Sequence, residues 1–136
     1  MEKLTLAAAM LVDSNNRLLV VRKKNSTYFM MPGGKIESGE SCQEALVREL
    51  YEELGLQVMK DDLQFLGRHS ALAVNEKDTM VEASIYKVCV EHGVLVSPKS
   101  EIDEIIWLTK HTFQKFKLAH LLKEFTLPRW LELFGT

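Results

Sequence analysis

The sequence predicts an α/β or α+β sandwich built on a mixed β-sheet, because short apolar strands are interleaved with few helical stretches. One segment carries both helix-end signals, and the other apolar runs are bounded by turn clusters. Leu4 to Val12 is apolar almost throughout and reads as a buried strand, followed by the turn cluster Asp13-Ser14-Asn15-Asn16. Arg17 to Arg22 then forms the second strand of a hairpin. Tyr28 to Met31 is a short strand stopped by Pro32-Gly33-Gly34. A helix starts at Ser41, where Ser41 and Glu44 have capping-box spacing, and ends at Gly55, where a left-handed cap favours a residue without Cβ. Leu63 to Val74 and Thr79 to Val90 read as two longer strands around the polar turn 75–78, and Ile105 to Leu108 as one more. A second helix is expected from Thr112 to Phe125, and Pro128 is expected to open a short one through Phe134.

At 136 residues, with no repeat or composition break, the chain reads as one domain covering 1–136. Hydrophobic residues make up 46% and charged residues 26%, which excludes a disordered chain. Lys and Arg number 17 against 19 Asp and Glu, a net charge of -2, so no basic excess drives binding to nucleic acid or an anionic membrane. The apolar runs fall short of the roughly 20 residues of a spanning helix, and the N-terminus lacks a secretion-signal pattern. Cys42 and Cys89 are too few for a disulfide framework or an all-cysteine zinc site and read as ordinary reduced thiols, consistent with a cytoplasmic protein. His69, His92, His111 and His120 show no zinc-like spacing, and none is given a catalytic role.

The first helix carries the chemistry. At about 100° per residue, Leu46, Val47, Leu50, Tyr51 and Leu54 cover a broad side suited to packing on a sheet. Glu49, Glu52 and Glu53 stand at i, i+3 and i+4 and gather on another side, with only Arg48 near enough in sequence to compensate. Such like-charged neighbours cost a few tenths of a kcal/mol per pair, whereas a hard divalent cation turns the repulsion into attraction. The plain alternative for three glutamates on a helix is a solvated face. The preceding Met31-Pro32-Gly33-Gly34-Lys35 favours the functional one, since a glycine loop lets backbone groups approach a ligand.

Residues 34–56, GKIESGESCQEALVRELYEELGL, resemble the Nudix box G-x5-E-x7-R-E-U-x-E-E-x-G-U, where U is aliphatic. Gly34, Glu40, Arg48, Glu49, Leu50, Glu52, Glu53, Gly55 and Leu56 fill every specified position, a coincidence of roughly one in 10⁷ by average residue frequencies. The resemblance implies an α/β/α sandwich with a central mixed sheet. It also implies hydrolysis of a nucleoside diphosphate linked to another group, with Mg²⁺ or Mn²⁺. It assigns metal binding to Glu52 and Glu53, with Glu49 as a further ligand or as the base and the Gly33 carbonyl completing the shell. Arg48 is expected to fix a glutamate of the box, and Glu40 to be a structural partner or outer ligand. The resemblance also implies a metal-associated acid in the loop holding Glu101, Asp103 and Glu104; counting back six residues from Trp107 favours Glu101 as a second candidate for base and ligand, set against a solvated acidic loop.

The expected reaction is attack of water at phosphorus, releasing NMP and a phosphate-bearing product; metals neutralise the pyrophosphate charge and acidify water. No marks of the ADP-ribose, NADH, dinucleoside polyphosphate or coenzyme A subgroups stand out, which favours a compact MutT-like enzyme acting on a nucleoside or deoxynucleoside triphosphate. The alternatives are an ADP-ribose or nucleotide-sugar pyrophosphatase, a nucleotide-binding module without turnover, and an enzyme acting on RNA 5′ ends. Tyr28, Phe29, Gly34 and Lys35 are the candidate substrate contacts, with Tyr28 and Phe29 otherwise packing at a strand end. The partner is a small nucleotide rather than nucleic acid or membrane, and the protein a monomer or homodimer. The apolar Trp130, Leu131, Leu133 and Phe134 either cover the sheet or join a dimer.

Overall fold

The computed structural model describes residues 1–134; residues 135 and 136, the end of the expected domain, lie outside the described residues. The centre is a mixed six-stranded sheet. Strand β1 (Glu2–Asp13) runs parallel to β5 (Thr79–Val90) along its whole length, from Glu2 opposite Thr79 to Asp13 opposite Val90. Beyond β5 lies the antiparallel edge strand β4 (Gln64–Leu72), and on the other side β2 (Leu18–Lys23) pairs antiparallel with β6 (Ile102–Leu108). Because β1 is covered on both faces, it reads as an apolar run rather than an alternation. Ala7, Ala9 and Leu11 pack towards the helix α1 (Cys42–Leu54), and Ala8, Met10 and Val12 towards the C-terminal segment. These two coverings make the α/β fold a three-layer sandwich.

The expected hairpin forms only at its tip, where Val12 pairs with Leu18. The Asp13 carboxylate accepts the amides of Asn15 and Arg17 at 3.0 and 2.9 Å, which is why the polar cluster turns there. Beyond the tip, β1 and β2 separate and the chain from Met30 onward enters between them. Val21 and Met30 exchange backbone bonds, and Ala9 N–H donates to the Pro32 carbonyl. The glycine stretch, read from sequence as a loop that stops a strand, is itself the short strand β3 (Gly33–Lys35) paired with Leu6–Ala8 of β1. The pairing surface for β3 comes from β1, far away in sequence, and no local rule reports it.

Helix α1 ends as expected. Ser41 accepts the Glu44 amide, the Glu44 carboxylate accepts the Ser41 amide, and Gly55 closes the helix at φ 68°.

The helix expected over 112–125 is replaced by a single tight turn, Phe113–Lys115, and then extended chain. Tertiary pairing wins here. Phe29 N–H donates to the Lys117 carbonyl and Ala119 N–H to the Phe29 carbonyl, each at 2.8 Å, while the Phe29 and Phe116 rings meet edge to face at 5.3 Å. Helical backbone resumes at residue 120 and passes through a wide turn, Leu122–Thr126, into α2 (Leu127–Phe134). In the wide turn Leu127 N–H reaches back five residues to Leu122; Pro128 follows, a residue that has no N–H and crowds the carbonyl four residues before it.

Within the chain, Trp130 covers the sheet: it is 1% exposed and its Nε1–H donates to the Asn16 carbonyl at 2.9 Å, while Leu133 stays exposed. Trp130→Phe should therefore cost about 1–2 kcal/mol, from one lost hydrogen bond and a smaller ring. Equilibrium urea unfolding checks this; an unchanged midpoint would remove Trp130 from the account of how the segment docks. Among the described residues, no helix is long and apolar enough to cross a membrane.

Candidate active site

The site forms where β3 lies beside α1. Gly33 has φ 146°, and a Cβ there would fall 2.2 Å from the Ala7 carbonyl oxygen, so only glycine lets β3 lie this close to β1. A Cβ on Gly34 would fall 2.5 Å from the Glu49 carboxyl carbon; its absence makes room for that side chain. Gly33 N–H in turn donates to Glu53 Oε1 at 3.0 Å. The two glycines thus seat two carboxylates one helical turn apart.

Glu53 is 1% exposed, on the core side of the acidic cluster. Burial foremost, and then repulsion from Glu49 and Glu101, pushes its carboxyl up to about 8, against the pull of the Gly33 amide and Lys23. Glu49 is raised as well, chiefly by burial and against its contact with Arg48. Glu101 enters from the loop before β6 and is lowered, first by the Ser100 hydroxyl. Oxygens of Glu49, Glu53 and Glu101 lie within 4.8 Å of one another. Three hard oxygen donors converging on one point, two of them on a rigid helix, suit a divalent cation of the Mg²⁺ or Mn²⁺ type.

Glu52 is placed differently. Its side chain is about half exposed, and its oxygens lie 3.3 and 3.4 Å from the Arg48 guanidinium, beside the trio rather than in it. Arg48 grips Glu40 with two parallel bonds of 2.7 and 2.9 Å, donates to Glu49 Oε1 at 2.8 Å and caps the Lys35 carbonyl at 3.1 Å. This fork holds the Glu40 carboxyl down to about 2, helped by the Glu37 amide, and raises Arg48 itself further. Glu40 is therefore tied to Arg48, the structural partnership weighed for it from sequence.

A cleft opens from Gly33, Gly34 and Lys35 across the other face of the sheet, with an apolar floor that includes Leu4, Leu6 and Val81. Lys23, Asn75 and His120 add polar groups to its walls. Tyr28 and Phe29 are placed elsewhere: Phe29 is buried among core rings, and Tyr28 is half-buried beneath the Lys117 ammonium. Sequence reasoning passed over Lys23 and His120. Lys23 sits at the end of β2 and lines the cleft where the segment leading into β3 pairs with that strand, at Met30 and Val21. His120 carried no spacing signal; its Nδ1 lies 3.0 Å from the Leu72 carbonyl, which can only accept. Nδ1–H therefore donates to that carbonyl, which orients the ring.

Comparison with known proteins bears on the family and the fold. The family described as NUDIX domain matches residues 3–127. An ADP-ribose pyrophosphatase of Methanocaldococcus jannaschii is 41% identical over 49 residues, covering 34% of this chain and 29% of that one. An 8-oxo-dGTP diphosphatase of Escherichia coli K12 is 38% identical over 60 residues, covering 41% and 46%. The chain thus spans less than half the length of either curated relative. In structure it resembles the NUDIX domain of Shewanella oneidensis NrtR, solved in complex with ADP ribose. The TM-score is 0.75 over 100% of this chain and 90% of that one, at 15% identity, a likeness of fold.

Proposed function

The chain belongs to the NUDIX family, and from that premise we propose that it hydrolyses the pyrophosphate linkage of a nucleoside diphosphate joined to a further group. A nucleoside or deoxynucleoside triphosphate, giving NMP and pyrophosphate, is the substrate we favour. The observation that carries this reading is the convergence of Glu49, Glu53 and Glu101 beside β3, which also borders the cleft. When bound there, Mg²⁺ or Mn²⁺ supplies charge neutralisation on phosphate oxygens and acidifies water.

The protein's own groups do the rest. Glu53 would hold the ion from the buried side, together with whichever of Glu49 and Glu101 does not act as base; Glu52 and the Gly33 carbonyl are the further groups that would hold it. Glu49 or Glu101 takes the proton from the attacking water. Lys23 and Lys35 face the phosphate charge, and the apolar floor of the cleft takes the base or sugar. Arg48 keeps Glu49 in place while bound to Glu40, and β3 presents backbone to the substrate from Gly34.

A second reading, an ADP-ribose pyrophosphatase, is favoured by the name of the M. jannaschii relative. Incubation with Mg²⁺ and a panel of ordinary and oxidised triphosphates, ADP-ribose, nucleotide sugars and dinucleoside polyphosphates separates the two. NMP with pyrophosphate supports the first, and AMP with ribose phosphate supports the second. Folded protein silent on the whole panel with Mg²⁺ and Mn²⁺ would overturn both.

The carboxylate trio also predicts a metal effect without substrate. At a Mg²⁺ concentration tenfold above Kd, the melting temperature should rise by roughly 3–5 °C as repulsion is relieved. A flat melting temperature up to 20 mM Mg²⁺, by scanning calorimetry, would show that the ion arrives with the nucleotide.

A further inference from the structure

We propose that Ser100 is a positioning residue that holds the Glu101 carboxylate within the three-acid group; this rests on the metal-dependent reading given above. Glu49 and Glu53 stand on a rigid helix, whereas Glu101 comes from a loop. The loop backbone is pinned from both sides. Ser97 N–H and Lys99 N–H donate to the last carbonyls of α1, those of Leu54 and Glu53, at 3.2 and 2.9 Å. Lys24 N–H donates to the Glu101 carbonyl at 2.9 Å, and Ile102 N–H closes the turn on the Lys99 carbonyl at 3.0 Å.

These bonds fix the main chain of Glu101 and leave its side chain three rotatable bonds. Repulsion from Glu49 acts to turn that side chain away from the trio, while Glu53 and the Lys23 ammonium favour its charged form. The Ser100 hydroxyl opposes this by donating to Glu101 Oε2 at 2.7 Å, a charge-assisted bond that fixes the carboxylate plane. Ser100 does so from a backbone φ of 57°, in the region that favours glycine, inside the turn closed by Lys99 and Ile102. A glycine would relax the turn and lose the hydroxyl. Position 100 therefore separates backbone comfort from side-chain orientation, and serine serves the second.

The test uses the full chain with Ser100→Gly, Ser100→Ala and Ser100→Asn. Mn²⁺ binding is followed by loss of the free-ion EPR signal, with and without a non-hydrolysable triphosphate analogue, and melting is recorded without metal. Ser100→Gly should melt at or above wild type yet bind Mn²⁺ roughly tenfold more weakly, the usual effect of losing a group that orients a ligand. Ser100→Ala should show the same weakened binding. Ser100→Asn tolerates positive φ and offers an amide N–H donor, and should recover most of the affinity. Wild-type affinity in Ser100→Gly and Ser100→Ala would overturn the inference while leaving the metal site standing. A wild-type protein that binds no Mn²⁺ under either condition would overturn the metal-dependent reading and this inference with it.

Discussion

Glu53→Gln is expected to lower turnover on the order of 10³-fold while leaving the fold intact, and to change how the metal-free protein responds to pH. The carboxyl sits behind Gly33 with 1% exposure and is pushed up to about 8, first by burial. In the unfolded chain it titrates at its ordinary value of 4.5. Between those two values the folded protein keeps a proton that the unfolded chain has released. Stability of the metal-free protein therefore falls as pH rises through about 4.5 to 8, by a few kcal/mol from this group. Glutamine has no proton to lose and accepts the same Gly33 amide, so the variant should lack this component and be the more stable protein at pH 8. Denaturant unfolding in EDTA from pH 5 to 9 checks both; parallel curves would mean that Glu53 is ionised when folded. Adding Mg²⁺ should erase the difference by stabilising wild type alone.

Arg48→Ala should cost about 2 kcal/mol of stability and roughly 10²-fold in kcat, because one guanidinium serves Glu40, Glu49, Glu52 and the Lys35 carbonyl. That figure is kept below the full cost of breaking a buried ion pair, since the Arg48 side chain is 24% exposed. Arg48→Lys tests whether charge alone is enough. An ammonium cannot reproduce the two parallel bonds to Glu40 while reaching Glu49, so the lysine variant should stay closer to alanine than to arginine in kcat. A lysine variant equal to wild type in both midpoint and kcat would reduce Arg48 to a point charge.

What was legible in the sequence is what local chemistry decides. Helix α1 stops within a residue of where Ser41 and Gly55 place its ends, because both caps are side-chain or backbone rules that act over three or four residues. Strand β5 runs from Thr79 to Val90 as expected, being a run of strand formers that begins just after a polar turn. The acidic face of α1 was legible from helical periodicity, whereas Glu101 entered only as a candidate through the family resemblance, beside the reading of a solvated acidic loop. What was not legible depends on partners far off in sequence. The glycine stretch pairs as a strand only because β1 offers Leu6–Ala8, and residues 116–119 give up helical geometry because Phe29 needs their backbone. Periodicity placed Glu49, Glu52 and Glu53 on one side but could not say that Arg48 draws Glu52 apart from the other two. Lys23 and the fixed ring of His120 belong to the same class, being set by which strands meet rather than by a motif.

The parallel pairing of β1 with β5 has a kinetic consequence. The two strands that form the middle of the sheet enclose β2, β3, α1 and β4 in the intervening chain, so the centre of the molecule closes only when a very long loop has been drawn together. Non-local pairing of this kind slows folding to the millisecond-to-second range. The excised segment 34–56 keeps its caps but lacks Gly33 and the β1 that holds it, β5 to support β1, and the turn that delivers Glu101. Its glutamates would then titrate as ordinary solvated side chains, and the raised affinity of Glu53 for a proton should appear during refolding only together with the slow, rate-limiting closure of the sheet.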